Sequence, residues 1–391
     1  MHKVRSLVFW MEIKMLKKSI LFMVSFCLFA CKGANDAGGG GGIQNSHEVD
    51  TSFLDKVNAK HKDLVTVIST PTTIVGKDLP YKEGNITWYF DGVFVKGRTL
   101  ELNPYQIGKH EVSYELWTLV MDWALNNGYT FMFQGGGGSE SPDNSDNHFI
   151  PPTEQNKWQP VVRVPWRSVI VWCNAYSEMV GLRPVYYKDA EKETPIRTTA
   201  PCAPDDPKAR DYNGLYPNDE PGYVDAPFVD WQASGFRLPT EAEWEMAGRG
   251  GNPNASEWGW KYSTCNDANE LLNYAWIDIN SDGKTHNVGE KKANKLGIHD
   301  MVGNVHEWCF DWLTGNTLEG HTLIGIPWYG PEKRPKDEVD DDKRSSRVSR
   351  GGCFKDDSGS FKCTLGYRLD FNPTRSGNIL GFRVARTITT K

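Results

Sequence analysis

The chain has 391 residues, enough for one large domain or two of average size, and its fifteen Trp supply a substantial core. A formal net charge of -6 and a pI near 5.9 argue against the basic face that a nucleic-acid binder carries, so no nucleic acid is expected as a partner. Lys and Arg are dispersed, and the one dense charge run, Asp337 to Arg344, carries both signs and reads as a solvated loop.

At the N-terminus Lys17-Lys18 precedes an apolar run, Ile20 to Ala30, that closes on Leu28-Phe29-Ala30-Cys31. A basic stretch, a short apolar stretch and small residues at the cut describe a secretory signal. The run is short for a transmembrane helix. A Cys directly after the cut resembles the lipobox of bacterial lipoproteins. That resemblance implies a signal over residues 1–31, lipidation at Cys31 and an exported lipoprotein of the outer membrane and cell surface, touching the bilayer through its lipid alone. Met15 is then the more natural start. In an exported chain Cys173, Cys202, Cys265, Cys309, Cys353 and Cys363 can form disulfides, but their spacing selects no pairing. There is no CxxC, so neither a zinc nor a thioredoxin-type reading has support in the spacing.

Residues 32–51, with the block Gly38 to Gly42, read as a flexible tether. Residues 52–84 read as an N-terminal extension containing a strand at Leu64 to Ile68. Ile86 to Phe90 and Val93 to Leu100 flank Asp91-Gly92, a hairpin signal. Ser113 is placed to cap a helix through Leu116, Trp117, Val120, Met121 and Ala124, ended by Gly128. Gly135 to Asn147 is a loop, and its glycine run lacks the Lys-Ser/Thr of a phosphate cradle. Pro160 to Val164 precedes a second helix through Trp166, Ile170, Trp172, Cys173, Tyr176 and Met179, closed by Gly181. A short strand at Pro184 to Tyr187 is followed by an irregular insertion, Lys188 to Asp230. Thr240 with Glu243 forms a capping box for a helix that stops at Gly248. Asp278 to Gly283 imitates an EF-hand opening, but the twelfth position is Gly289, so a turn is expected.

The last stretch organises the chain. Arg347 to Arg350 and Gly381 to Ile388 alternate as strands, with Phe382 and Val384 on one face. Between them Cys353 to Ile379 is too long for a plain hairpin loop, and its scattered aromatics argue against disorder. A loop-rich binding surface on a rigid framework is the expectation.

The blocks Gly235 to Trp244, Asp300 to Trp308, Arg350 to Gly352 and Gly381 to Arg383 resemble the formylglycine-generating-enzyme (sulfatase-modifying factor) family. The resemblance runs from about Asn85 to Thr387 and implies an α+β domain, residues 85–391, with a C-type-lectin-like fold of the formylglycine-generating-enzyme type and long loops. It implies calcium as a structural ion at Asp300, Gly303, Val305 and Glu307, whose hard oxygens suit it. In the enzymes two cysteines after the Arg-Gly-Gly hold copper and oxidise a cysteine of a peptide; the first would fall at Asp356, a poor donor for copper(I). A copper oxidase is therefore the alternative reading, and a non-enzyme the preferred one.

A finer resemblance, carried by Arg350-Gly351-Gly352, Cys363 to Arg368, Asn372-Pro373 and Leu380 to Arg383, is to the variable region, about 347–386, of lipoproteins diversified by retroelements. Adenine randomisation there cannot yield Trp, Met, Gln, Glu or Lys. Cys353 to Ile379 holds none of the first four, and Lys355 and Lys362 are its only Lys. The resemblance implies a surface for a variable protein ligand at Cys353, Phe354, Asp356, Asp357, Ser360, Tyr367, Leu369, Asp370, Phe371, Ser376, Gly377, Asn378 and Ile379. Phe354, Tyr367, Leu369 and Phe371 would be rigid contacts; Asp356, Asp357, Asp370 and Asn378 would add polar specificity.

Overall fold

Two four-stranded sheets depend on the last stretch of the chain. In the first, the order is Leu64–Ile68, Tyr105–Gly108, Ala385–Thr387, Phe236–Arg237, with every neighbouring pair antiparallel. In the second, it is Leu369–Phe371, Arg347–Arg350, His306–Trp312, Leu380–Gly381; only the last pair is parallel. The computed structural model describes residues 63–78, 92–141, 150–199, 224–313, 322–327, 346–357 and 361–389. The signal, Cys31, the tether, Ile86 to Phe90, Cys202 and Asp337 to Arg344 lie outside them. Among the described residues no helix is long and apolar enough to cross a membrane.

Helix α1, Tyr114–Leu125, begins where Ser113 Oγ accepts a hydrogen bond from Leu116 N, 3.3 Å. Its apolar positions recur at helical spacing and are buried against α2, Trp166–Met179. Trp117 and Trp172 stack with ring centroids 5.5 Å apart, and Phe382 meets both edge-on. Helix α3, Glu241–Gly248, has the reciprocal Thr240–Glu243 capping box that its sequence predicts.

The expected single strand Gly381 to Ile388 is broken. Leu380–Gly381 joins one sheet and Ala385–Thr387 the other, because Arg383 between them turns inward to the buried Glu307. The hairpin arm Val93 to Leu100 is also corrected. The strand there is Thr99–Leu102, paired with Thr72–Val75, while Val93 N donates to Glu245 Oε2 at 2.8 Å. A boundary at residue 84 is not structural, since Leu64–Ile68 and Thr72–Val75 pair with domain strands, and residues 51–391 cluster as one unit. Cys173, Cys265, Cys309, Cys353 and Cys363 are free, buried thiols.

Candidate functional site

Gly351 and Gly352 turn the chain out of the second sheet with φ of +96° and +71°, in the region that disfavours side chains. Helix α3 anchors the segment beyond this turn. Arg350 donates to Glu241 Oε1 (2.6 Å) and Glu245 Oε2 (2.8 Å). Arg368 grips both oxygens of Glu241, at 2.6 and 2.7 Å. At the far end Arg383 takes both oxygens of Glu307, each at 2.6 Å. Burial alone would raise the Glu241 pKa, but the Arg368 and Arg350 guanidiniums hold it below its ordinary value. Charge-assisted, bidentate bonds of this kind fix geometry as well as position. These three arginine contacts use none of the side chains expected to face a ligand.

The expected contact residues divide into two groups. Phe354 is 0% exposed, and Cys353, Asp356 and Tyr367 are also buried. These four do not stand on a display face, which corrects that expectation. The reason is local: Phe354 N donates to Asn304 O (2.9 Å) and its carbonyl accepts from Ser281 Oγ (2.8 Å), so the backbone after Gly352 is drawn inward. Asp357 and Ser376 are exposed, while Leu369, Asp370, Phe371, Gly377, Asn378 and Ile379 are half-buried. Ser360 lies outside the described residues. Phe361 was not among the expected contacts and is 39% exposed, with its ring 5.4 Å from that of Tyr367. Its signal in the sequence was its presence as an aromatic in a polar run. Phe371 rests edge-on against Trp308 and carries the Arg375 guanidinium over its ring. Leu369–Phe371 is an edge strand, and Arg163 N and Asn378 Nδ2 tie the rest of the segment down through Gly377 O and Ser139 O. The strip offers aromatic faces, both signs of charge and an amide side chain.

Asp356, where the resemblance expects the enzymes' first cysteine, lies 3.3 Å from His306 Nε2 and 3.3 Å from Lys362 Nζ. Burial works against its charge, yet the His306 and Lys362 groups beside it hold its pKa down at about 2. A carboxylate engaged in this way is no substitute for a thiolate at copper(I).

The calcium block fits in part. Asp300, Gly303 and Asn304 have positive φ, and Asp300 Oδ1 is buried with no hydrogen-bond partner. Burial pushes the Asp300 pKa up to about 6. Glu307, however, gives both oxygens to Arg383 and also accepts from Trp244 Nε1 at 2.8 Å. The ligand role expected for Glu307 is not met, since a calcium ion would have to displace the guanidinium.

Residues 72–388 match the family described as Sulfatase-modifying factor enzyme 1-like domain, so the match begins upstream of the expected Asn85. The chain is 31% identical over 253 residues to Chaperone protein LppX of Paenibacillus barcinonensis, covering 59% of this chain and 74% of that protein. It is 32% identical over 170 residues to Formylglycine-generating enzyme of Thermomonospora curvata, 40% of this chain and 51% of the enzyme. Among solved structures, Treponema denticola variable protein 1 superposes with a TM-score of 0.55 at 30% identity, covering 82% of this chain and 94% of that one.

Proposed function

Because the chain belongs to the sulfatase-modifying factor enzyme 1-like family and has its C-type-lectin-like α+β fold, we propose that it is a surface-displayed lipoprotein that binds variable protein ligands through a retroelement-diversified strip. The strip is Asp357, Phe361, Leu369 to Phe371 and Arg375 to Ile379. The observation that carries this reading is the separation of roles in the segment. Arg350, Arg368 and Arg383 are buried in bidentate or paired carboxylate contacts, while the strip's side chains stand wholly or partly in solvent. Changes at exposed positions such as Asp357 and Ser376 usually alter stability by less than about 0.5 kcal/mol, so these can vary without unfolding the domain. The likeness to a treponemal variable protein over nearly all of that protein supports the same reading.

The test is to sequence this locus in sibling isolates. Substitutions should concentrate at 357, 370, 371, 376, 378 and 379, with Phe354, Tyr367 and Arg368 constant, and a near-copy of the segment's codons should lie beside a reverse transcriptase gene. Uniform drift along the chain, or a genome with no such copy, would remove the proposal.

The lipid anchor is part of the proposal and rests on the Leu28-Phe29-Ala30-Cys31 sequence. Radiolabelled palmitate should enter the chain in growing cells, and Cys31→Ser should abolish the label. Labelling that survives the substitution would count against Cys31.

Formylglycine generation is the second reading, favoured by the named relative of Thermomonospora curvata. Against it stands Asp356, a charge-paired carboxylate where the first copper thiolate belongs.

A further inference from the structure

We propose that His306, Cys353 and Asp356 form a zinc-binding site. One nitrogen, one sulfur and one carboxylate oxygen from these residues lie within 4.8 Å of one another. Donors at about 2.0–2.3 Å from one tetrahedral zinc ion stand about 3.3–3.6 Å apart, so the widest pair has to close by up to about 1.5 Å, while His306 Nε2 and Asp356 Oδ2 already stand 3.3 Å apart. The three come from separate features: His306 opens the strand His306–Trp312, and Cys353 and Asp356 lie in the turn after Gly352. That is why cysteine spacing alone is silent about the site.

The surroundings are those of a built site. His306 is 2% exposed, Cys353 2% and Asp356 7%. Cys353 N donates to Asp356 Oδ2 at 2.9 Å, which fixes the carboxylate over the turn. His306 Nε2 faces that same oxygen at 3.3 Å, while its Nδ1 is buried without a hydrogen-bond partner. The Phe371 ring closes one side, 6.2 Å from the imidazole. Lys362 Nζ already supplies a positive charge 3.3 Å from Asp356 Oδ1, and its side chain is 45% exposed, so it can swing outward when an ion takes its place.

Mixed sulfur, nitrogen and oxygen donors select zinc over calcium or magnesium, which take oxygen. Binding converts the Cys353 thiol to a thiolate and releases its proton to solvent. Three protein donors leave one tetrahedral position for water or for a donor from a ligand. The ion would fasten the start of the segment to the second sheet. This set differs from the cysteine pair of the copper enzymes, since it uses His306 and Cys353. It stands whether or not the strip beyond it is diversified.

The test uses the full chain, freed of metal with a chelator and titrated with zinc by calorimetry. One zinc per chain should bind and raise the Tm. Cobalt(II) in its place should give a thiolate-to-metal charge-transfer band. Asp356→Asn, close to isosteric, should weaken zinc binding by at least about tenfold. Cys353→Ser should remove the cobalt band, and Cys265→Ser should leave it. Should the variants not fold, the unsubstituted chain still decides the matter: it should take up one cobalt(II) per chain with the thiolate band, and zinc should displace that cobalt and abolish the band. Absence of stoichiometric zinc, or a cobalt spectrum without the thiolate band, would overturn the assignment.

Discussion

Glu241→Ala is expected to destabilise the domain by about 3–5 kcal/mol, the cost of leaving a buried charge without its partner. Glu241 receives Arg350 and Arg368 together, so its removal takes from Arg368 its bidentate carboxylate and from Arg350 one of its two carboxylate partners. Arg350 keeps Glu245, which is why the loss does not double. Against a typical stability of about 5–15 kcal/mol this is a large fraction of the total. Chemical denaturation measures it, and a loss under about 1 kcal/mol would show that the clamp is dispensable. Acid should reach the same state in the unsubstituted protein. A carboxyl held below its ordinary 4.5 contributes stability above that pH and loses it as the pH falls through the lowered value. The variant's stability should therefore fall less steeply on the acid side.

Gly303→Ala is expected to cost about 3 kcal/mol, combining roughly 1–2 for a left-handed residue with 1–3 for overpacking. Gly303 has φ of +79°, and an added Cβ would sit 2.2 Å from Trp276 O. That oxygen cannot simply withdraw, because it accepts from Asn304 N at 2.8 Å. Gly297→Ala separates the two causes. Gly297 has the same φ with nothing within 4 Å of the added carbon, so it should lose only about 1–2 kcal/mol. Equal losses in the two variants would remove the close approach as the cause.

Much of the framework was legible because its signals are local. Ser113 and the Thr240–Glu243 box announce two helix starts, Leu64 to Ile68 is the strand expected of its apolar run, and Arg347 to Arg350 is the strand its alternation predicts. Burial of the polar residues in Arg347 to Arg350 was not legible. Arg347 and Ser349 share one face of the strand and Arg350 lies on the other, yet all three are buried, and the partners of Arg350, Glu241 and Glu245, come from a distant part of the chain. The same blindness misplaced Phe354 and Tyr367, since an aromatic in a polar run can be a contact or a core residue and only the backbone's path decides. His306 beside Cys353 could not be anticipated, because nothing in the chain relates their spacing.

The crossing of the chain from one sheet to the other at Phe382 to Val384 has a consequence for how the molecule is made. The second sheet cannot be completed until Gly381 has been synthesised, nor the first until Thr387, so ordering of both must wait for this late segment. Strand pairs this remote in sequence form slowly. A frameshift or premature stop arising in the segment would leave both sheets unfinished and the product unfolded. Folding itself would then remove truncated and frameshifted chains.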